Sequence, residues 1–395
     1  MLAARLTVIF LKKFFARVSN GKLTVELPSG RKFTLVGKNT GALSVSIKVI
    51  NYKLIPLLIL KGGLGAGESY IKGYWTTPDL RKILEFAAIN RVPLSRQLKG
   101  FNIAKFFDKA THFLRQNSVN RAKKNIAAHY DLGNDFYSQW LDESMTYSSA
   151  IFDDFSDSLQ KAQTNKYKKL CQLVELTTED TVLEIGCGWG GLINYLKSKY
   201  SCDLTAITIS QEQFNFVTEK KFNLQTEGKS VVSLCDYRNL EGEFDKILSI
   251  EMLEAVGAKY WPIFFGKLKS SLKNRGVIGL QAITIAEDYY EDYENNTDFI
   301  QRYIFPGGML PTLEIIKLLG KSSGLRVVKG NDYAQHYAVT LEHWRNRFNK
   351  AWPKLRNQGF DSRFRRTWDY YLAYCQAGFS SGMLNVWQLR LEHDS

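Results

Sequence analysis

The sequence predicts an α/β protein in two parts, a small α+β domain over residues 1–120 and a larger domain over residues 121–395. Three observations support this division. Short β-rich runs alternate with helical runs from residue 180 onward, which is typical of a parallel sheet with helices on both faces. A glycine-rich turn follows the first of these runs, and basic residues are concentrated in the first third of the chain. The 395 residues also exceed the roughly 250 to 300 that one core usually accommodates.

The first domain carries the signals of a β-hairpin followed by a helix. Apolar and polar residues alternate over residues 23–27 and again over 33–35, with Pro28-Ser29-Gly30 between them. A glycine-dense stretch, residues 62–73, precedes a helical pattern over residues 80–87. The polar and basic stretch 115–125 marks the predicted domain boundary. The opening residues 1–18 lack the cleavage site of a signal peptide, so we expect either a membrane-surface helix or an ordinary first helix.

The positive charge is confined to the first third of the chain. Residues 1–125 contain 23 Lys and Arg against 5 Asp and Glu, whereas the other 270 residues contain 30 against 34. Such a surface attracts polyanions, either nucleic acid or an anionic lipid face, and charge alone does not choose between them. No apolar run approaches the roughly 20 residues of a membrane-spanning helix. The five cysteines show no paired spacing, which favours a reducing cytoplasm and neither a disulfide framework nor a structural metal site.

Five β-rich runs define the larger domain. They cover residues 181–185, 204–209, 231–235, 244–250 and 277–285. The insert that follows, rich in Tyr and acidic residues, is expected to form a cap over the active site, within a cap region at about 285–345. The alternation of these five runs with helical stretches predicts a parallel sheet with helices on both faces.

The first strand of this domain leads into the sharpest motif of the chain. Residues 182–191 read Val-Leu-Glu-Ile-Gly-Cys-Gly-Trp-Gly-Gly, and glycines at such a turn let a ligand approach the backbone closely. A dinucleotide-binding protein would place a carboxylate at the end of the second strand. Here that strand ends Thr208-Ile209-Ser210, and the acids are Glu184 before the turn and Asp236 after the third strand. The alternative is a generic strand-to-helix turn without a ligand.

This pattern resembles the class I methyltransferase fold, which is Rossmann-like and binds S-adenosylmethionine. The resemblance implies that the acidic strand end and the glycines contact the methionyl part and ribose, that Thr208 and Gln213 lie near the ribose, and that Asp236 faces the adenine. The cofactor contacts implied in this way are Tyr147, Ser148, Glu184, Gly186, Gly188, Gly190, Thr208, Gln213, Asp236 and Tyr237.

Several further strings resemble the cyclopropane-fatty-acyl-phospholipid synthase family, which includes the mycolic acid cyclopropane synthases. These strings are residues 65–70, 128–137, 141–149, 251–257, 299–308 and 370–375. The resemblance covers nearly the whole chain. It implies that the substrate is the cis double bond of an unsaturated phospholipid in a bilayer. With the basic charge of the first domain and the unpaired cysteines, we expect that domain to bind an anionic lipid surface and the protein to lie in the cytoplasm at the inner face of the membrane. A homodimer is a further expectation. We do not expect a nucleic-acid substrate, because the chain lacks the catalytic strings and RNA-binding modules of nucleic-acid methyltransferases.

The expected chemistry needs aromatic faces, carboxylates and a base. Methyl transfer to an alkene leaves a carbocation, which aromatic rings and carboxylates stabilise before a base removes a proton. In the family a bicarbonate ion is thought to be that base. Its binding positions correspond here to Ser149, Glu254, Gln281, Ile283 and Tyr337. Ser149 and Gln281 depart from the family's Cys and His, and Ala255 stands where a His is common.

These departures put bicarbonate in doubt and lead to a hypothesis. Glu143 first and Glu251 second are the carboxylates expected to replace bicarbonate, favouring a methylene- or methyl-branched product over a cyclopropane ring. The alternatives are that both acids are surface or capping residues, and that the chain is a non-catalytic lipid-binding paralogue. Cys375 matches a family cysteine, although no step needs a thiolate and a buried Cys usually packs as a small hydrophobe. The catalytic candidates are Glu254, Tyr337, Glu143, Glu251 and Cys375.

Overall fold

The structure is a computed structural model that describes Ile9 and residues 18–91, 132–219 and 228–394. The predicted domain boundary near residue 120, most of the opening segment and residues 128–131 of one family string lie outside the described residues. The chain divides into two compact units. Unit 1 comprises Met1–Leu114, Asn295–Ile304 and Phe348–Met383, and unit 2 comprises Arg115–Glu294, Phe305–Arg347 and Leu384–Ser395. Two segments that the sequence predicts in the second domain, Asn295–Ile304 and Phe348–Met383, are thus grouped with the first unit.

The described residues form the following strands and helices. The strands are β1 Asn20–Glu26, β2 Lys32–Val36, β3 Asn39–Val49, β4 Trp75–Thr76, β5 Thr181–Ile185, β6 Asp203–Thr208, β7 Ser230–Leu234, β8 Phe244–Ile250, β9 Leu272–Ile285, β10 Leu325–Asp332 and β11 Leu384–His393. The α-helices are α1 Leu54–Ile71, α2 Leu80–Ile89, α3 Asn134–Ser138, α4 Leu159–Leu173, α5 Gly191–Lys199, α6 Gln211–Glu219, α7 Leu253–Val256, α8 Trp261–Ser270, α9 Glu287–Glu294, α10 Phe299–Tyr303, α11 Leu313–Ser322, α12 Ala334–Asn357 and α13 Ser362–Ser380.

Unit 1 contains a four-stranded sheet in the order β2-β1-β3-β4. The predicted hairpin is confirmed, because β1 and β2 pair antiparallel with Leu23 opposite Leu35 and Val25 opposite Phe33. Leu23 and Val25 are fully buried, so their strand turns its apolar face to the core of the unit.

Helix α1 runs through the glycine-dense stretch, where the sequence predicts no helix. Gly62 interrupts it with φ 54° and ψ −127°, a conformation that glycine adopts without a steric penalty. By length and composition this helix could cross a membrane, and half of it is buried within the structure. A mostly apolar helix of a protein core has the same properties, so this feature alone does not indicate a membrane span.

Unit 2 contains a seven-stranded sheet in the order β10-β11-β9-β8-β5-β6-β7. Strands β5 to β9 pair in parallel, while β11 is antiparallel to both of its neighbours. This sheet confirms the predicted fold class. The five predicted strands agree closely with β5 to β9, except that β9 begins at Leu272, five residues before the predicted start. Strands β10 and β11 at the other side of the sheet are not predicted. The chain order reverses on either side of β5, so the loops after β5 and β8 diverge and leave a crevice at the carboxyl edge of the sheet.

Helix α4 packs its apolar face in the core of unit 2. Leu170 and Cys171 are fully buried there together with Val174. Truncation of a buried leucine such as Leu170 to Ala costs about 2–5 kcal/mol. The same face carries Lys166, whose side chain is also fully buried.

Candidate active site

The turn after β5 depends on its glycines. Gly186, Gly188 and Gly190 have φ of 85°, 53° and 82°, in the region that side chains rarely adopt. A Cβ at Gly186 would lie 2.6 Å from Cγ of Met252, so no larger residue fits there. A Cβ at Gly188 would meet no heavy atom within 4 Å. The protein therefore leaves open space beside Gly188, which lines a cavity in unit 2.

This cavity lies at the carboxyl edge of β5, β6 and β8. Nine of the ten predicted cofactor contacts line it: Tyr147, Ser148, Glu184, Gly186, Gly188, Thr208, Gln213, Asp236 and Tyr237. The tenth, Gly190, is not in the lining and precedes the first residue of α5. The structure thus brings together residues that are up to 90 positions apart in the chain, because parallel strands end at the same edge.

Glu184 places a buried carboxylate in the cavity wall. Its Oε2 atom is buried and has no hydrogen-bond partner, and burial raises the pKa of this carboxyl group to about 8. A buried acceptor without a partner costs about 1–3 kcal/mol or more, and a ligand that donates a hydrogen bond removes this cost. The ammonium and ribose hydroxyl groups of S-adenosylmethionine are such donors.

The opposite part of the cavity is already organised by hydrogen bonds. The Thr208 hydroxyl donates to Oε1 of Gln213 at 2.9 Å. The Asp236 carboxylate accepts two bonds from the Arg238 guanidinium, at 2.8 and 2.6 Å, and one from the Arg238 backbone N–H at 3.1 Å. Arg238 itself lines the cavity, a role that the sequence reasoning missed. These bonds fix the carboxylate of Asp236 at the point where the third strand ends.

Glu251 lies at the carboxyl end of β8 and lines the same cavity. Its side chain is the acceptor for three donors. Oε1 accepts from the Ser149 backbone N–H at 2.8 Å and from Nε2 of Gln281 at 2.9 Å, and Oε2 accepts from the Tyr337 hydroxyl at 2.7 Å. Burial raises the pKa of this carboxyl group, while the three donors and Lys166 oppose that change. The backbone of Glu251 has φ 51°, an unfavourable conformation of the kind found at functional sites.

Glu254 lies one turn further on, in α7, and is partly exposed. Its Oε1 accepts a hydrogen bond from the Ile283 backbone N–H, and its Oε2 is buried without a hydrogen-bond partner. Burial, and then the neighbouring Glu251, raise the pKa of Glu254 to about 8. Glu254 therefore keeps its proton to a higher pH than a solvated carboxyl group does, and it lies beside Glu251.

The remaining catalytic candidates are placed elsewhere. Glu143 is exposed and does not line the cavity. Cys375 belongs to unit 1, whereas every residue lining the cavity belongs to unit 2; burial raises the pKa of its thiol. Of the five predicted catalytic residues, the structure brings Glu251, Glu254 and Tyr337 together. In the part of the chain that the structure describes, no group of three or more His, Cys, Asp or Glu could hold a metal ion.

Aromatic rings surround Tyr147, which lines the cavity. Its ring centroid lies 5.4 Å from that of Trp140, 5.3 Å from that of Trp344 and 6.4 Å from that of Phe305. Phe305, from the predicted cap region, also lines the cavity. Aromatic faces attract a cation, so the rings of Tyr147 and Phe305 provide a cation-tolerant surface in the cavity.

A glycine turn, a buried acid at the end of β5 and a third-strand Asp, carried on a sheet of this order, define a class I methyltransferase that uses S-adenosylmethionine. The family model for mycolic acid cyclopropane synthetase matches residues 117–389. The chain therefore belongs to the mycolic acid cyclopropane synthetase family, and it is an S-adenosylmethionine-dependent methyltransferase.

Three relatives illustrate the match. The tuberculostearic acid methyltransferase UfaA1 of Mycobacterium tuberculosis is 35% identical over 349 residues, which are 84% of this chain and 79% of that protein. The cyclopropane-fatty-acyl-phospholipid synthase of Escherichia coli K12 is 34% identical, over 88% of each chain. The crystal structure of the mycolic acid cyclopropane synthase CmaA1 with SAH and CTAB has a TM-score of 0.64 and 28% identity, and covers 68% of this chain and 97% of that one.

Proposed function

We propose that this enzyme transfers a methyl group from S-adenosylmethionine to a cis double bond in an acyl chain of an unsaturated phospholipid, with Glu251 as the base. The names of the relatives from E. coli and M. tuberculosis support a fatty-acyl substrate. The observation that carries the role of Glu251 is its position at the cavity, where Ser149, Gln281 and Tyr337 all donate hydrogen bonds to its carboxylate.

The same three donors argue against bicarbonate. By resemblance, Ser149, Gln281 and Tyr337 stand at positions that hold bicarbonate in the family, and a fourth, Ile283, donates to Glu254. Each of these groups already has a protein carboxyl group as its acceptor. A bicarbonate ion would have to compete with Glu251 for the donors and lie beside a second negative charge. The residues present therefore do not fit bicarbonate, and no step is assigned to it.

The reaction needs an in-line acceptor and a dry site. Bound S-adenosylmethionine supplies an electrophilic methyl group on a positively charged sulfur. The π electrons of the alkene form the new C–C bond as the C–S bond breaks with its electron pair on sulfur, and the neighbouring carbon becomes cationic. The rings of Tyr147 and Phe305 and the carboxylate of Glu251 stabilise that cation, and Glu251 then accepts one proton.

The proton that leaves determines the product. Loss of a methyl proton with closure onto the cationic carbon gives a cyclopropane. Loss of a methyl proton after a hydride shift gives a methylene branch, and loss of a proton from the chain gives a methyl-branched alkene. We propose a branched product, because the carboxylate of Glu251 takes the donors that by resemblance hold the bicarbonate of the ring-forming enzymes. The alternative, cyclopropane formation, uses the same residues up to the final deprotonation.

The test is methyl transfer in vitro. The purified enzyme is incubated with S-adenosylmethionine labelled in its methyl group and with vesicles of unsaturated phospholipid, in buffer freed of bicarbonate, and the fatty acids are analysed by mass spectrometry. We expect a one-carbon gain with wild type and with Glu143→Gln, and a loss of roughly 10²- to 10⁴-fold with Glu251→Gln.

Three results would contradict this proposal. Equal activity of the Glu251→Gln variant and wild type would remove Glu251 from the mechanism. Labelling of a heteroatom acceptor alone would reject the alkene. Cofactor binding without any methyl transfer by wild type would favour the non-catalytic lipid-binding paralogue.

We further propose that the basic first third of the chain binds the anionic inner face of the cytoplasmic membrane. Its 23 Lys and Arg over residues 1–125 support this, since each basic residue near such a surface contributes about 1 kcal/mol. Sedimentation with vesicles containing anionic lipid should fall steeply as salt is raised, whereas binding that does not depend on salt would contradict an electrostatic contact. The homodimer stays a prediction, which sedimentation equilibrium would check.

A further inference from the structure

Lys166 is a buried cation that the proposed mechanism does not use. It lies in α4, and its side chain has no exposed surface. Its ammonium donates a hydrogen bond to Oγ of Ser148 at 2.7 Å and lies 4.4 Å from the ring centroid of Tyr167. A lysine is almost never fully buried without a charged partner, because desolvation of the ammonium is costly.

Two separate chains of contacts connect Lys166 to Glu251. In the first, the ammonium binds the side chain of Ser148, and the backbone N–H of the next residue, Ser149, donates to Oε1 of Glu251 at 2.8 Å. In the second, Nε2 of Gln388 donates both to the backbone carbonyl of Lys166, at 3.2 Å, and to Oε1 of Gln281, at 3.0 Å. Gln281 then donates to Glu251 at 2.9 Å.

The charged groups around this pair come from several elements. The carboxylates of Glu251, Asp142 and Glu184 act on Lys166, in that order of influence. Glu251 is faced by Lys166 from α4, by the Tyr337 hydroxyl from α12 and by the carboxyl group of Glu254 from α7. Burial lowers the pKa of Lys166 to about 7 and raises that of Glu251, and each partner opposes the change in the other. The two groups are thus coupled in their charge.

We infer that Lys166 is a positioning residue of the active site, which holds Ser148 and Ser149 against Glu251 and provides the positive charge that keeps the Glu251 carboxylate ionised. This inference rests on the proposed role of Glu251 as the base. Ser148 lines the cavity, so the same ammonium also fixes one wall of the predicted cofactor site.

The first test compares pH–rate profiles of wild type, Lys166→Met and Lys168→Met. Lys168 is exposed on the same helix and is the matched control. Loss of the charge at Lys166 raises the pKa of Glu251, because an opposite charge favours the ionised carboxylate. The acidic limb of the profile should therefore move up by about one pH unit or more in Lys166→Met. It should stay in place in Lys168→Met, and Lys166→Arg should move it back toward wild type. An unchanged acidic limb in an active Lys166→Met variant would overturn the inference.

The second test needs no turnover and covers a variant that folds poorly. Melting temperatures of cofactor-free wild type, Lys166→Met, Glu251→Gln and the double variant form a double-mutant cycle. Lys166→Met should lower the melting temperature by several degrees, because it leaves a buried carboxylate without its counter-charge. Adding Glu251→Gln should recover part of that loss. If the fall in melting temperature of the double variant equals the sum of the falls of the two single variants, the coupling is refuted. If the wild-type enzyme transfers no methyl group, the proposed function is refuted. The double-mutant cycle still decides in that case whether Lys166 and Glu251 are coupled.

Discussion

Replacement of Glu251 by glycine should convert the enzyme into one that depends on an added anion. The side chain accepts three hydrogen bonds, of 2.8, 2.9 and 2.7 Å. Hydrogen bonds to charged groups contribute about 1.5–3 kcal/mol each. The backbone at this position has φ 51°, where glycine avoids a cost of about 1–2 kcal/mol. We therefore expect Glu251→Gly to fold, and to leave three donors converging on a vacated space.

The rate of this variant should fall by roughly 10²- to 10⁴-fold, because the base is gone. That loss corresponds to about 2.7–5.5 kcal/mol in the barrier. Bicarbonate or formate, small anions with the geometry of a carboxylate, can accept bonds from the same donors and should restore activity by about tenfold or more, since each tenfold corresponds to about 1.4 kcal/mol.

The assay is methyl transfer to unsaturated vesicles in buffer freed of bicarbonate, then titrated with each anion. Glu143→Gly is the control, because that side chain is exposed. Two results would refute the reasoning: a Glu251→Gly variant that binds S-adenosylmethionine normally yet gains nothing from either anion, and a wild-type enzyme that bicarbonate stimulates.

Three further predictions concern neighbouring groups. Burial raises the pKa of Glu254 from 4.5 to about 8, so the free energy of unfolding should fall as pH rises from 4.5 to 8, by a few kcal/mol in order of magnitude. Glu254→Gln should flatten this fall in denaturation experiments at successive pH values. Gly188→Ala should weaken S-adenosylmethionine binding by about tenfold or more, measured by calorimetry. The control is Gly30→Ala, because Gly30 also has a positive φ and open space around its Cβ position; this variant should lower stability without weakening cofactor binding. Tyr337→Phe removes a donor to Glu251, so it should raise the pH of the acidic limb and lower the rate at neutral pH by about tenfold, or 1.4 kcal/mol.

The sheet of unit 2 and its glycine turn could be predicted because both are encoded locally. The predicted bounds of β5 and β8 match the observed ones, since polar residues or glycine flank both strands in the sequence. Residues at the carboxyl ends of such strands meet at one edge, and Glu184 and Asp236 therefore line one cavity. The hairpin of unit 1 was equally local.

Other features depend on tertiary packing and could not be predicted in this way. Helix α1 runs through a glycine-dense stretch, where the low helix propensity of glycine predicts a break. Gly65 and Gly67 are buried against neighbouring atoms that leave no room for a Cβ, which explains why glycine occupies these helical positions. The grouping of Phe348–Met383 with unit 1 has no local signal at all.

Some site residues carried a signal that the sequence reasoning did not use. Lys166 occupies a position on the apolar face of α4, in line with the buried Ala162 and Leu170, where a solvated lysine is not expected. Glu251 follows a predicted strand directly, as Asp236 does, whereas Glu143 follows none. The rule that functional groups follow parallel strands would have placed Glu251 before Glu143.

The residues at the two positions that depart from the family pattern, Ser149 and Gln281, both contact the carboxylate of Glu251, although Ser149 does so through its backbone N–H, which does not depend on its side chain. Taken singly, each suggests a site that has lost its anion, which is why a non-catalytic paralogue was a reasonable alternative. In the structure both residues donate to Glu251, through a backbone N–H and through an amide. An amide is a donor at every pH, and Gln388 fixes its orientation by donating to Oε1 of Gln281. A histidine at this position could change its charge or tautomer beside the carboxylate. Gln281 therefore suits a fixed carboxylate, and the same residues that weaken the case for bicarbonate support a base built into the protein.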